Sequence, residues 1–362
     1  MHMKKKKLIT TLVLFMSACS CIYAQQLPPL KSVVVPSPSP KAGVMQQIGI
    51  TQMTVSYSRP GTRGRAKIFG GLVPYNNGKP YPWRAGADDN TVVSFEHDVT
   101  IEGKPIAAGK YGLHVIPAAD NWIFAFSRNT TSWGSFTYKQ EEDVLRVTVA
   151  PKPLATPQEW LVYEFTGITD SSANLTLKWA DTEASVRIDV DVKKITLQSI
   201  RNELRNVNNF TWAGPFSAAN WCMQNNYNLD EALTWINQAI VTNTSYNVVH
   251  TKAEILRKLG RTQEADEAYN IILQQGSYAD CNSYLSNFIL QKKANAMEIT
   301  EKSIVRYPDL AGNIWFIAGN SYRRVRDTEN ALNCYNKALP LVKTEQLKQQ
   351  INKAITDLKN SK

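Results

Sequence analysis

The segment from Arg59 to Arg84 combines cationic with aromatic side chains, which bind anionic or sugar-like ligands through paired hydrogen bonds and ring stacking. It is a long connection with few strand signals, and loops of this length inside a compact domain are often functional. The candidate ligand-binding residues are Arg59, Arg63, Arg65, Tyr75, Trp83, Arg84 and Asp88.

Two other interpretations of the same arginines stay open at this point. In the first, the arginines form ion pairs that fasten the loop to the rest of the domain, the partners being Asp88, Asp89, Glu96 or Asp98. In the second, the loop carries the catalytic site of a hydrolytic or carbohydrate-processing enzyme.

Elsewhere the sequence predicts no catalytic residue, no metal site and no cofactor. The run Gly61–Lys67 lacks the GxxxxGK[ST] order of a phosphate-binding loop, and no GxSxG or HExxH motif occurs. His97 has both acidic neighbours on the opposite strand face and is expected to be solvated or to cap the strand. His114 lies opposite an apolar strand face, so we expect it to be exposed or in a second layer.

The first 24 residues have the form of a secretory signal peptide. Lys4–Lys7 form a basic region and Leu8–Met16 an apolar one, and small residues follow. We predict cleavage after Ala24 and export to the periplasm or the medium. In the alternative interpretation, Met16–Cys19 is a lipobox, and lipidation of Cys19 anchors the protein to a membrane.

Export changes the meaning of the net charge of +10 on this chain of 362 residues. Four of these charges are the lysines of the signal peptide, so the mature chain carries 10 − 4 = +6. The remaining charges are interspersed, without an arginine-rich arm, and we predict no nucleic-acid partner. Cys222, Cys281 and Cys334 have no CxxC spacing and are predicted to be buried in helices.

Between residues 43 and 194, apolar and polar residues alternate, which is typical of strands with one buried face. Turn residues separate the runs, including a turn predicted at Asp181–Thr182. This half is predicted to be an antiparallel β-sandwich or barrel. The alternating runs are Met53–Tyr57, Tyr111–Val115, Trp122–Phe126, Leu145–Val149, Leu175–Trp179 and Val186–Val192.

From about residue 200 the period becomes helical and a repeat appears. The small residue that opens each second helix recurs at separations of 33, 31 and 35 residues, which is close to the tetratricopeptide period. Residues 212–340 therefore resemble the tetratricopeptide-repeat family, with about four repeats. The predicted packing residues are Ala232, Ala253, Ala265, Tyr269, Ala296, Trp315, Gly319, Tyr322, Ala331, Tyr335 and Ala338.

The β half resembles the exported bacterial family called domain of unknown function 2911, over about residues 40–192. The resemblance implies a domain and no activity. Asp88 departs from the pattern, because Asn is expected in the Trp-Arg-x-Gly-Ala-Asn segment. The motifs that carry the resemblance are Ser58–Arg65, Ile68–Tyr75, Trp83–Asp88, Ala108–Tyr111 and Asp143–Val147.

We therefore predict a chain of a β domain followed by an α-helical solenoid, with a protein or peptide partner in the repeat groove. The predicted function is that of an exported, non-enzymatic binding or scaffold protein. The alternative is a carbohydrate-binding or hydrolytic enzyme with a site at Arg59–Arg84, whose ligand is anionic or a glycan. The predicted boundaries are a signal peptide at 1–24, a Pro/Ser-rich linker at 25–42, the β domain at 43–194, a second linker at 195–211, the repeats at 212–342 and a capping helix at 343–362.

Overall fold

A computed structural model describes residues 35–75 and 81–360. The predicted signal peptide, both cleavage interpretations and most of the Pro/Ser-rich linker lie outside these residues. Within them, an antiparallel β-sandwich precedes an array of helices, which confirms the predicted fold class. No helix among the described residues is both long enough and apolar enough to cross a membrane.

The sandwich consists of two antiparallel sheets. One has six strands in the order β1-β2-β3-β6-β7-β8, and the other has four in the order β5-β4-β10-β9. Alternate residues point between the sheets, where Trp122, Phe124 and Trp179 are fully buried. The strands are β1 Lys41–Ile48, β2 Thr51–Ser58, β3 Thr91–Phe95, β4 Val99–Ile101, β5 Lys104–Ile106, β6 Gly109–Ile116, β7 Trp122–Ser127, β8 Asp143–Val149, β9 Lys152–Thr166 and β10 Ser172–Asp189.

The turn predicted at Asp181–Thr182 is wrong. β10 runs through these residues as one strand of 18 residues and pairs with β9 on both sides of them. The register shifts on either side of Ala180, whose φ is +54°, so the chain forms a bulge instead of reversing. Polar residues at a bulge resemble a turn in sequence, because both interrupt the alternation of apolar side chains.

The helical part consists of helix pairs that pack against their neighbours. The second helix of the second pair is divided at Tyr269 into α5 and α6, and α11 packs on the last pair. The helices are α1 Val192–Glu203, α2 Ala213–Gln224, α3 Leu229–Ile240, α4 Tyr246–Lys258, α5 Thr262–Ala268, α6 Asn270–Gln275, α7 Tyr278–Leu290, α8 Ala296–Arg306, α9 Ala311–Arg324, α10 Thr328–Ala338 and α11 Glu345–Asn360.

The segment 195–211, predicted to be a linker, begins inside helix α1. Asp191 caps this helix by accepting a hydrogen bond from the Lys194 backbone N–H. Its first turn, with Ile195, packs on the sandwich core, whereas Leu197 packs on the first helix pair. The helix therefore bridges the two cores. Its apolar residues are few, which is why the sequence resembles a linker.

Small residues allow close approach of the helices in the last pair. Gly319 of α9 lies directly against Tyr335 of α10, and a Cβ atom at Gly319 would lie 2.6 Å from the Tyr335 ring. Ala318 and Ala331 are fully buried beside them. Because real Cβ contacts do not occur at that distance, the packing of this pair requires glycine at residue 319. All eleven predicted packing residues of the repeats are buried.

We predict that Gly319→Ala lowers the free energy of unfolding of the helical domain by about 1–2 kcal/mol. Overpacking costs about 1–3 kcal/mol, and the better helix propensity of alanine returns up to about 1 kcal/mol. Urea unfolding followed by circular dichroism at the helix band measures the change. Asn313→Ala, on an exposed part of the same helix, is the control and is expected to be neutral or slightly stabilising. A Gly319→Ala protein more stable than the native chain would contradict the close approach.

Candidate functional site

The backbone around Arg84 is fixed on both sides. Trp83 exchanges two backbone hydrogen bonds with Val115, each of 2.8 Å, and its indole N–H donates to the Gly86 carbonyl. The Ala85 carbonyl accepts hydrogen bonds from the Tyr163 hydroxyl at 2.8 Å and from the Thr91 hydroxyl at 3.0 Å. These bonds hold Ala85 in a left-handed conformation with φ of +53°. The side chain of Arg84 is thus presented from a rigid support.

A second support holds Arg63 and Arg65. The Glu159 carboxylate accepts hydrogen bonds from the Thr62 hydroxyl and, at 3.0 Å, from the Arg63 backbone N–H. The Arg65 backbone N–H closes the turn on the Thr62 carbonyl. These bonds, led by the one from Thr62, hold the pKa of Glu159 below its usual value. Glu159 belongs to β9, so a strand remote in sequence fixes the turn at residues 62–65.

These two supports face a cavity of about 520 Å³, which is large enough for a small organic ligand. We call it the arginine cavity. Of the seven residues proposed from the sequence, four line it: Arg63, Arg65, Trp83 and Arg84. The other three do not. Arg59 donates from Nε to the Leu161 carbonyl at 3.0 Å, Tyr75 packs on the sandwich core, and Asp88 accepts a hydrogen bond from Ser37.

The prediction that the arginines fasten the loop through ion pairs is wrong. Among the described residues, no salt bridge is formed by the arginines of this segment, which are Arg59, Arg63, Arg65 and Arg84. Arg63 and Arg65 donate instead to the backbone carbonyls of Pro38 and Gly61, at 2.6 and 2.5 Å. The nearby acids have other partners. Asp89, for example, forms a salt bridge with Lys41. The fasteners of this loop are backbone carbonyls and Glu159.

Arg84 has a buried hydrogen-bond donor that no described residue satisfies. Its Nε atom is inaccessible to solvent and has no hydrogen-bond partner among the described residues. Its guanidinium lies 5.5 Å from the centre of the Trp133 ring, a cation–π contact that does not use the N–H groups. An unsatisfied buried donor costs about 1–3 kcal/mol, which makes Arg84 the most unusual polar group of the cavity.

The departure at Asp88 leaves the shape of the loop intact. Asp88 has a φ of +57°, in the left-handed region where Asn and Asp are the commonest residues after glycine. Its carbonyl accepts the Gly134 backbone N–H at 3.0 Å, which joins this turn to the loop that carries Trp133. Either Asp or Asn suits this position, because neither the left-handed conformation nor the backbone hydrogen bond to Gly134 depends on the charge of the side chain.

Comparison with known proteins agrees with this division of the chain. Residues 39–188 match the family described as Protein of unknown function (DUF2911). Residues 312–341 match the family described as Tetratricopeptide repeat, and they include most of α9, α10 and the turn between them. Both resemblances predicted from the sequence are thus confirmed, in the predicted order.

A solved structure is also similar to part of the chain. It is described as a crystal structure of YrrB, a TPR protein with an unusual peptide-binding site. The identity is 15%, the alignment covers 44% of this chain and 83% of that chain, and the TM-score is 0.24. The repeat assignment rests on the helix packing and the family match instead. No curated protein matches the sequence.

His114 of the DUF2911 domain is buried in a second layer, which the sequence left open. It lies outside the sandwich core, beneath the loop of Ser135 and Tyr138. Its ring centre is 4.9 Å from that of Tyr138, and its Nδ1 atom is 3.4 Å from the Ser135 hydroxyl. Burial lowers the pKa of His114 to about 4, so the ring is neutral at physiological pH.

Ser135 also lines the arginine cavity. In enzymes, a neutral histidine beside a serine acts as the general base that activates the hydroxyl as a nucleophile. Among the residues that the structure describes, however, no carboxylate forms a hydrogen bond with the His114 ring. The nearby acid, Asp143, accepts hydrogen bonds from Tyr138 and Arg146. The pair therefore lacks the third group that orients the base in a Ser-His-Asp triad.

We predict that acid destabilises the DUF2911 domain through His114. In the unfolded chain the histidine takes a proton below pH 6.5, and in the folded chain only near pH 4. The unfolded state therefore binds the extra proton between these values, and stability falls as the pH falls. Between pH 6.5 and 4, the native chain should lose roughly 3 kcal/mol more than His114→Gln.

Chemical unfolding of both proteins at a series of pH values, followed by tryptophan fluorescence, measures this difference. The carboxylates titrate in both proteins, so their contribution cancels when the two curves are subtracted. Parallel curves for the native chain and His114→Gln would contradict the burial of a neutral histidine.

Proposed function

We propose that this protein is an exported, non-enzymatic binding protein whose helical repeats bind a protein or peptide partner. The observation that carries the proposal is the stack of helix pairs, of which the last matches the tetratricopeptide-repeat family. Solenoids of such pairs present an extended surface, and their usual function is recognition of a peptide or a helix.

The surface we assign to the partner is formed by the first helices of the pairs. These helices, α2, α4, α7 and α9, contact one another in succession, so their exposed residues form one continuous strip. The strip includes the exposed Asn247 and Asn313. Polar groups of this kind provide hydrogen bonds to an extended peptide without a preference for one charge.

Aromatic side chains along α4 and α7 add to this surface. Tyr246 and His250 stack at 5.3 Å, and the Tyr284 ring meets Phe288 edge to face at 5.6 Å. His250 is held by the Tyr269 hydroxyl, 2.6 Å from its Nδ1 atom. Tyr246, His250 and Phe288 are only partly buried, and partly exposed, rigid aromatic residues are enriched where proteins bind one another.

The proposal of export rests on the sequence of residues 1–24, and the helical cysteines support it. Cys222, Cys281 and Cys334 are free and buried. Burial raises the pKa of Cys222 to about 11 and that of Cys334 to about 12, so these thiols stay protonated and unreactive. Their protection from oxidants suits a protein that works outside the cytoplasm without disulfides.

We predict that glutamate at two exposed positions of the first helices, Asn247→Glu with Asn313→Glu, abolishes partner binding. New charges in the interface would be desolvated without a partner. The native full chain and the variant are used as bait in envelope extract of the source organism, and the captured proteins are quantified by mass spectrometry. At least one protein should be enriched more than tenfold by the native chain and lost with the variant.

The matched control is Asn333→Glu with Asn336→Glu, which adds the same charge to exposed positions of a second helix, α10. This control should capture the same protein as the native chain. The proposal fails if no specific protein is captured, or if both double variants lose it equally.

We predict that the mature protein begins at Gln25. The full-length chain is expressed in a bacterium with a periplasm, and the intact mass of the exported protein is measured. Cys19→Ala should be processed identically, because the cleavage proposed after Ala24 does not use the thiol. Incorporation of labelled palmitate into the native chain, lost in Cys19→Ala, would instead establish the lipoprotein form. Retention of the uncleaved chain in the cytoplasm would contradict export.

A further inference from the structure

We infer that the arginine cavity of the DUF2911 domain binds a carboxylate carried on a ring, such as an acidic sugar or an aromatic acid. The site is separate from the repeats and does not depend on the partner proposed for them. Its elements are three guanidinium groups, one of them with an unsatisfied donor, and a set of aromatic walls.

The charge of the cavity favours an anion. Arg63, Arg65 and Arg84 line it, and no Asp or Glu is found among the described residues of its lining. Glu159, the acid behind the turn of Arg63, is occupied by Thr62 and by a backbone N–H. Glu159 offsets part of the charge of Arg65, and the remaining positive charge of the three arginines attracts an anionic ligand. The fork of N–H groups on arginine matches a carboxylate.

Arg84 is the group that would contact the carboxylate most directly. The hydrogen bonds of Trp83 and Ala85 fix the backbone on both sides of Arg84, so its side chain starts from a fixed position. Its Nε donor is buried and has no described partner. The N–H groups at the tip of this guanidinium, which lines the cavity, form no hydrogen bond with a described residue and would donate to the ligand carboxylate. The preorganised backbone would lower the entropic cost of binding.

The aromatic residues indicate a ring on the ligand. Trp83 and Trp179 stack at 5.8 Å and form a buried wall of the cavity. At its rim, Tyr81 is 53% exposed and Phe136 is 80% exposed, and folding alone gives no reason to expose such side chains together. Phe136 also stacks on Trp133, which holds its ring in place. Aromatic faces of this kind stack on sugars and on flat rings.

A purely structural role explains these observations less well. An arginine that fastens a loop donates hydrogen bonds to it, as Arg59 does from Nε to the Leu161 carbonyl. Arg84 fastens nothing by hydrogen bonds among the described residues, and the loop around it is already held by Tyr163 and Thr91.

The test is calorimetric titration of the full chain with four probes: glucuronate, benzoate, acetate and glucose. Glucuronate and benzoate each carry a carboxylate on a ring, one on a sugar and one on an aromatic ring. Acetate lacks the ring and glucose lacks the charge. We expect one of the two ring carboxylates to bind at least tenfold more tightly than acetate and glucose. The one that binds more tightly shows whether the ligand is an acidic sugar or an aromatic acid.

The variant Arg84→Gln should weaken that binding about tenfold or more, because a lost charged hydrogen bond corresponds to such a factor. Arg84→Lys should recover only part of it, since lysine keeps the charge and lacks the planar fork of N–H groups that pairs with a carboxylate. Arg128→Gln, an exposed arginine outside the cavity lining, is the control and should bind as the native chain does.

Three results would overturn the inference: no binding of either ring carboxylate, equal binding of acetate or glucose, or unchanged binding in Arg84→Gln. Circular dichroism of each variant verifies that it is folded. Because the repeats take no part in this titration, its failure leaves the partner of the first helices untouched.

Discussion

The Ala85 carbonyl is the point on which the candidate site depends. It accepts hydrogen bonds from Tyr163, in the four-stranded sheet, and from Thr91, in the six-stranded sheet. The Tyr57 hydroxyl, from the second of these sheets, accepts the Tyr163 backbone N–H at 3.2 Å. One buried polar junction thus joins both sheets and holds the strained residue next to Arg84. Burial raises the pKa of Tyr163, so the hydroxyl remains a donor.

This junction explains how a rigid sandwich supports an open cavity. The core below it is closed by Trp83, Trp179 and Phe69, whose rings contact one another in pairs. Above it, the loop cannot collapse onto the core, because Trp83 and Ala85 are each tied to a strand. The arginines therefore project beside the aromatic wall, and no carboxylate is found among the described residues that line the cavity. A stable fold and a polar cavity coexist because the strain is confined to a few hydrogen-bonded residues.

The helical half follows a different physical rule. Each pair buries its apolar faces only by packing on the next pair, so its stability depends on close contact between neighbours. Alanines at the start of the second helices, such as Ala232 and Ala265, are fully buried and permit that contact. Helix α1 packs on both cores, and α11 covers the last pair with Ile351 and Leu358. The two halves are thus joined by a helix whose sequence alone resembles a connection.

The residue pattern by itself determined the two halves, the repeat and the segment that carries the arginines, because these properties depend on local period and composition. The tertiary structure decided which of those arginines act together. Arg63, Arg65 and Arg84 share a cavity, while Arg59 is bound to the Leu161 carbonyl. The residues that hold this segment in place are Glu159, Leu161 and Tyr163, which lie about 80 to 100 residues further along the chain. They belong to β9, which is largely exposed and has little alternation, so neither the strand nor its contacts could be derived from sequence.

The depth of His114 likewise depends on a loop that folds over its strand, and a period of two cannot predict such a second layer.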